Sequence, residues 1–413
     1  MVNEVLRTDI PNDWDVITLG DYAQIFRGGS PRPIQAFLTT SDQGINWIKI
    51  GDVGAGEKFI ESTEEKIIPE GVSRSRMVYK GDLILSNSMS YGRPYIMNIE
   101  GCIHDGWLVI QKYDRLFNRE YLYYALSSDL TMQQYVAMAA GSSVQNLNKE
   151  KVSKVVLPCP KISEQKKIAE VLSSIDALIV DLQKLIRKKK DIRQGTMQML
   201  VTGKKRLDGF DGEWVKINLS KNSKLKARIG WQGLTTAEYL DEGYSYLITG
   251  TDFKDGQINW NGCHYVDYNR YEQDPNIQVS NGDLLLTKDG TIGKVAYVAD
   301  LTRPATLNSG VFLVKPITDA YTAHFMFYVL ESSVFKDFLQ QLSAGSTINH
   351  LYQKDLVKFD LYVPPTKEEQ EAIAAILFDM DSDIHKLEAK LEKYQKVKQG
   401  MMEELLTGKV RLV

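Results

Sequence analysis

The residue types that carry catalysis are present in this chain, but not at the spacings catalysis needs. The histidines are five and scattered, whereas a metal site needs ligands in a tight constellation. Cys102, Cys159 and Cys263 are odd in number and far apart, so neither a disulfide framework nor a zinc spacing is expected. Cys263-His264 has no second pair to complete a site, and buried thiols in a reducing cytoplasm fit better. Gly290-Thr-Ile-Gly-Lys294 lacks the spacing of a phosphate loop. Gly203-Lys204 and Gly408-Lys409 fall at the far ends of helical segments, where backbone carbonyls rather than amides are exposed. Pro364-Pro365 is followed by Thr366; an amino-methyltransferase needs an Asn/Asp-Pro-Pro-aromatic loop, and none occurs. No catalytic residue, metal or cofactor is therefore expected.

The elements that would position any other chemistry belong to a folded protein. The chain has 413 residues, 43% apolar and 25% charged, enough for two to four ordinary domains and inconsistent with disorder. No apolar run approaches the roughly 20 residues of a membrane helix. The first residues lack a basic stretch followed by an apolar core, so no secretory leader is expected. The formal net charge is -3, so any surface for a polyanion must be a local basic patch.

The chain repeats itself. Pro160-Lys-Ile-Ser-Glu-Gln-Lys-Lys-Ile-Ala recurs as Pro365-Thr-Lys-Glu-Glu-Gln-Glu-Ala-Ile-Ala, and the match runs ungapped to Leu207 and Leu412. Roughly 19 of about 48 positions are identical, far above chance for an ungapped pairing. Preceding segments correspond more faintly: Lys80–Gly92 with Asn281–Gly293, Trp47–Gly51 with Leu247–Thr251, and Ala140–Leu147 with Ala344–Leu351. Glu213-Trp214 echoes Asp13-Trp14. The order is globule, long helix, globule, long helix. The helices agree closely while the globules share a scaffold, which suggests one shared task and two different targets.

The first helix carries Ile168, Val171, Ile175, Leu178, Leu182 and Leu185 three and four residues apart, a heptad seam for a partner helix. The second repeats it with Ile373, Ile376, Met380, Ile384, Leu387, Leu391 and Tyr394. Thr366-Lys-Glu-Glu369 reads as a capping box. Gly195 and Gly400 are expected to interrupt the far ends, and Thr202 and Thr407 to close them. The globules read as α+β. Strand-like runs at Asn46–Ile50, Asp82–Leu85 and Trp107–Ile110 are divided by turn residues, and helical pieces lie at Glu120–Leu126 and His324–Leu330. Aromatics in these helices are expected in the core.

Helices that begin Pro-x-x-x-Glu-Gln-x-x-Ile-Ala and end Leu-Val/Leu-Thr-Gly-Lys, each behind a globule with a Gly-Asp-Leu-Ile/Leu-Leu run that closes on a glycine, resemble those of Type I restriction-modification specificity subunits. The resemblance covers essentially the whole chain. It implies two target-recognition domains, 1–157 and 208–362, alternating with helical spacers at 158–207 and 363–413. The helices would pair as an antiparallel coiled coil, giving a pseudo-twofold α+β architecture. Each domain would read half of a bipartite site on double-stranded DNA. The helix pair would set the unread spacer and dock two modification (methyltransferase) subunits, with restriction/translocase subunits joining later, in the cytoplasm and away from any membrane. Short tandem repeats that set spacing in some members are absent, so spacer length cannot be counted from the sequence.

DNA contact calls for Arg or Lys against phosphate or guanine, and for Asn, Gln, Ser or Thr against base edges. In the first globule the best candidates are Ser86, Asn87, Ser88, Tyr91 and Arg93, then Arg27, Ser30 and Arg32, then Arg74 and Arg76. In the second, Lys288 and Thr291 occupy the matching loop, beside Asp289, and Arg228 and Gln232 match the earlier one. A third pair of loops offers Ser142, Ser143 and Gln145 against Ser346, Thr347 and Asn349. Any one of these could equally be a solvated turn residue. Two other functions fit a two-headed rod. A DNA-binding regulatory or architectural protein would have no methyltransferase partner, and a structural coiled-coil adaptor would show no salt-sensitive DNA binding.

Overall fold

The computed structural model describes residues 10–54, 56–87, 91–139, 146–229, 233–343 and 350–412. The chain divides into two compact units, 1–183 with 389–413 and 184–388. Each holds one sheet-rich head, the opening half of one long helix and the closing half of the other.

In unit 1, β1 (Asp15–Thr18) and β2 (Gln24–Arg27) precede β3 (Leu38–Thr39), β4 (Ile45–Ile48), β5 (Phe59–Ile60) and β6 (Glu65–Ile67). Then come β7 (Arg76–Val78), β8 (Leu83–Ser86), β9 (Pro94–Met97), β10 (Gly101–Ile103) and β11 (Trp107–Gln111). Helices α1 (Arg119–Ser127) and α2 (Asp129–Ala139) lead to β12 (Val156–Cys159) and the 40-residue α3 (Ile162–Val201). The sheets run β2-β11-β8-β9-β5 and β3-β6-β4-β10-β7, and β1 pairs with β12. Strand β8 and most of β11 are buried on both faces, which is why Leu83–Leu85 and Trp107–Ile110 are unbroken apolar runs rather than alternating ones.

Unit 2 repeats the plan. Its strands are β13 (Val215–Asn218), β14 (Ser223–Lys226), β15 (Ser245–Ile248), the hairpin β16 (Phe253–Lys254) and β17 (Gln257–Ile258), and β18 (His264–Val266). They continue with β19 (Gln278–Val279), β20 (Leu284–Thr287), β21 (Val295–Tyr297), β22 (Ala305–Leu307) and β23 (Val311–Pro316). Then follow α4 (Ala323–Glu331), α5 (Ser333–Leu342), β24 (Asp360–Val363) and the 40-residue α6 (Lys367–Leu406). Its sheets, β14-β23-β20-β21 and β18-β15-β22-β19, match those of unit 1 strand for strand at their centres. Even the unusual step recurs: β10 runs parallel to β4 and β22 parallel to β15 among antiparallel neighbours. The duplication is thus one of topology as well as of sequence, in an α+β fold.

The long helices are built into the head cores. In unit 1, Ile168, Ala169 and Leu172 of α3 and Leu405 and Leu406 of α6 pack with Tyr121, Tyr124 and Leu157. In unit 2, Met197, Leu200 and Val201 of α3 and Ile373, Ala374 and Leu377 of α6 pack with Phe325, Tyr328 and Leu361. The two helices run antiparallel in unit 2, where Lys189 meets Asp383 at 3.6 Å and Arg193 meets Asp381 at 2.8 Å. In unit 1, Lys398 meets Asp176 at 2.7 Å.

The seam differs from the expected one by a phase. Ile168, Ile175 and Leu182 are buried, but Leu178 and Leu185 are 50% and 41% exposed, and Ile179 and Ile186 are buried instead. The buried stripe therefore steps 168, 172, 175, 179, 182, 186. On α6, Ile373 and Ile384 are buried, Met380 and Leu387 are half-buried, and Leu377 replaces the exposed Ile376. Apolar residues stand side by side at 171/172, 178/179 and 185/186, so both phases look alike in sequence; Leu172, packed in the core of head 1, belongs to the phase that is taken. Nor do Gly195 and Gly400 interrupt the helices, which run through both to Val201 and Leu406. Among the described residues, no helix is long and apolar enough to cross a membrane.

Candidate nucleic-acid interface

Two sets of polar residues shared by both units turn out to hold the helices onto the heads. At the start of each long helix stands Glu-Gln. Gln165 donates to the carbonyls of Leu116 and Pro160, each at 2.9 Å, and accepts from the Asn118 amide at 2.8 Å. Gln370 does the same with Ala320, Pro364 and Thr322. The glutamate before it faces an arginine that follows the opposite helix end. Arg206 makes a two-pronged pair with Glu369 at 2.6 and 2.8 Å, its guanidinium over the Trp214 ring. Arg411 makes the same pair with Glu164 at 2.8 and 2.9 Å, its guanidinium over Trp14, and a second with Asp13. Glu369 thus answers Arg206 rather than closing the expected capping box, although Thr366 still accepts from the Glu369 amide at 3.3 Å.

Further along, a tyrosine of each head reaches an aspartate in the helix. Tyr124 donates to Asp176 at 2.6 Å and Tyr328 to Asp381 at 3.1 Å, with Lys398 and Arg193 as the respective cations. Burial, followed by the adjacent aspartate, pushes both phenols well above the ordinary tyrosine value. Sequence reasoning passed over these groups. Their signal was nevertheless there, since Asp176/Asp381, Glu164/Glu369 and Arg206/Arg411 are identities of the repeat.

The loops expected to meet a ligand share one backbone frame. In head 1, the amide of Asn87 donates to the Gly106 carbonyl at 2.9 Å, and that of Leu147 donates to Asn87 at 3.0 Å. In head 2, Lys288 donates to Gly310 at 2.9 Å and Leu351 to Lys288 at 2.8 Å. The glycine ending each loop has positive φ, +74° at Gly92 and +86° at Gly293, and lies against Tyr135 or Leu339. A side chain there would meet strain and a clash together, which explains the Gly-Asp-Leu signature's final glycine.

Within that frame several expected contact residues face inward. Ser86 and Asn87 are buried: the Ser86 hydroxyl accepts from the Arg93 amide at 3.0 Å, and Asn87 donates to the Asp105 carbonyl at 2.9 Å. They brace the loop rather than meet a ligand. Arg228, 2% exposed, donates to Leu307 O at 2.9 Å and Thr306 Oγ1 at 3.2 Å, binding its own head beneath β22. Burial holds its guanidinium below the ordinary arginine value. Tyr91 is half-buried and donates to the Tyr135 carbonyl at 3.1 Å. Arg93, Thr291 and the half-buried Lys288 remain on the surface side. Asp289 and His350 face each other across an isolated antiparallel bridge, the Asp289 carboxylate against the His350 ring. Ser88, Ser142, Ser143, Gln145, Gln232, Ser346, Thr347 and Asn349 lie outside the described residues.

The arginines of head 1 do come together. Arg27 donates to Asp105 O at 3.0 Å, Arg76 donates to Arg27 O at 3.0 Å, and Ser30 donates to Asp105 Oδ1 at 2.8 Å. Arg32, its side chain 83% exposed, stands 3.9 Å from Asp105 Oδ2, and Arg74 lies over Phe37. Burial raises the Asp105 carboxyl, but the Ser30 hydroxyl, with His104 and Arg27 nearby, more than offsets it and holds it below its ordinary value. The result is a basic rim organised by one ionised carboxylate, chemistry suited to a polyanion. Among the described residues no cluster could hold a metal ion, and all three cysteines are buried and free.

Comparison with known proteins agrees with this architecture. The family described as the Type I restriction modification DNA specificity domain matches residues 11–194 and again 204–395. The Type I restriction enzyme MjaVIII specificity subunit of Methanocaldococcus jannaschii is 24% identical over 98% of this chain and 94% of its own. The EcoBI specificity subunit of Escherichia coli is 22% identical over 89% of this chain and 79% of its own. Among solved structures, a Type I restriction-modification S subunit from M. genitalium superimposes with a TM-score of 0.61 over 96% of both chains at 16% identity, a likeness of fold. With the family matching twice, once per head and helix, this chain belongs to the Type I restriction-modification specificity subunits, as a non-catalytic member of that enzyme system.

Proposed function

We propose that each head reads one half of a bipartite site on double-stranded DNA, with head boundaries near residues 157 and 362. The helix pair between them sets the unread spacer and docks two modification subunits; restriction/translocase subunits join that assembly in the cytoplasm. The observation that carries this reading is the shared loop frame. Asn87 and Lys288 make the same backbone hydrogen bonds in the two heads, but Asn87 is buried against the Asp105 carbonyl while Lys288 stays half-exposed, so the shared frame offers different chemistry in each head. A scaffold used twice with altered surface chemistry is what two different half-sites require. At 1.5 Å per residue a 40-residue helix is about 60 Å long, enough to span more than one turn of DNA at roughly 34–36 Å.

The test is selection from a randomised duplex pool by the full chain purified with its modification subunits. Two short fixed blocks separated by a constant unread gap are expected, with affinity falling as salt rises. A continuous motif would reject the two-headed reading. Failure to copurify with any methyltransferase would favour a stand-alone DNA-binding protein.

A further inference from the structure

Head 1 contains a cavity of 740 Å³ lined by Ser30, Arg32, Trp47, Lys49, Glu65 and His104 among others. Trp47 of β4, Glu65 of β6 and the residues just past β4 and β10, Lys49 and His104, form one side of it. Trp47, 2% exposed, lies opposite Glu65 in the β4–β6 register, and the His104 ring stands edge-on 6.2 Å away. Lys49 Nζ is 3.0 Å from Glu65 Oε1, their side chains 28% and 37% exposed. The Glu65 carboxylate beside it holds the Lys49 ammonium above its ordinary value, so the cation persists at neutral pH.

A phosphate-binding patch needs cations in excess, as on the rim where Arg27, Arg32, Arg74 and Arg76 outnumber the single Asp105 carboxylate, whereas the Lys49–Glu65 pair is matched one to one. Here a donor and an acceptor stand side by side under a basic rim. Base edges in the major groove present that complement. Lysine prefers guanine O6 and N7, a carboxylate accepts from the cytosine N4 amino group, and both preferences meet on one base pair. We propose that Lys49 and Glu65 are the pair through which head 1 selects a G·C base pair, an inference that rests on the DNA-reading function proposed above. The matched positions of head 2, given by the strand registers, are Leu247, Thr249, His264 and Asn308 in place of Trp47, Lys49, Glu65 and His104. Head 2 therefore lacks this charged pair, and the effect is confined to one half-site.

The experiment compares the full chain with its Lys49→Met and Glu65→Gln variants, each with its modification subunits, in selection from a randomised duplex pool and in binding at several salt concentrations. Each variant is expected to lose roughly 5- to 100-fold discrimination at one G·C position of one half-site. The other positions and the salt dependence stay as they are, since no phosphate contact is removed. A split motif that both variants select unchanged overturns this inference and leaves the proposed function standing. An A·T pair at the affected position also overturns it, as does a uniform loss of affinity with a shallower salt slope. A parent chain that selects no motif refutes the proposed function and this inference with it.

Discussion

Replacing Arg206 by alanine should destabilise unit 2 by about 3 kcal/mol. Glu369 is 1% exposed, and Arg206 supplies both hydrogen bonds that its carboxylate receives in this pair. Breaking a buried pair by removing one partner costs about 3–5 kcal/mol, because the remaining charge stays buried without compensation. The Arg206 side chain is 27% exposed, so water can reach into the gap, and the lower end of that range applies. Loss of the guanidinium over Trp214 at 5.9 Å adds about 0.5 kcal/mol, within the uncertainty of the main contribution. For a body of this size the expected fall in midpoint is about 6–12 °C. Calorimetry of the full chain would show it in the transition that carries unit 2, and Glu369→Gln combined with Arg206→Ala closes a double-mutant cycle. A coupling under about 0.5 kcal/mol, or a single-variant shift below about 2 °C, would refute the reasoning.

Gln370→Leu should cost about 2–4 kcal/mol, since it strands the Ala320 and Pro364 carbonyls and the Thr322 amide in the interior; urea unfolding measures it. Leu178→Ala should change stability by less than about 1 kcal/mol, whereas Ile179→Ala should cost about 2–4 kcal/mol, because the first side chain is 50% exposed and the second 9%. Acidification should weaken unit 1 through Glu164, whose carboxyl the Arg411 guanidinium holds below its ordinary 4.5. A lowered folded pKa stabilises above the unfolded value, so this contribution is complete above about pH 5.5 and is lost as pH falls through 4.5 and below. Arg411→Met should flatten that part of the stability-against-pH curve, and an unchanged curve would count against the clasp.

The duplication, the two long helices and the α+β heads were legible because each rests on a pattern the chain states twice. The seam phase was not. Adjacent apolar pairs such as Leu178-Ile179 satisfy either heptad phase, and only the folded packing, which buries Ile179 and leaves Leu178 exposed, separates them. The contact residues were legible as loops but not as side chains. Ser86, Asn87 and Arg228 have the polar chemistry expected of a ligand site and spend it on their own backbone, as buried polar groups must. Lys49 and Glu65 escaped notice because they sit 16 residues apart, one just past β4 and the other on the neighbouring β6, and sequence spacing does not reveal contacts made across strands.

The claim that the heads choose sequence independently is tested most directly by exchanging residues 1–157 for the first head of another specificity subunit and mapping methylated sites in a host carrying the hybrid enzyme. The account predicts that one half-site changes to that of the donor while the other half-site is kept. Simultaneous change of both halves, or a methylated motif without an unread gap, would contradict it.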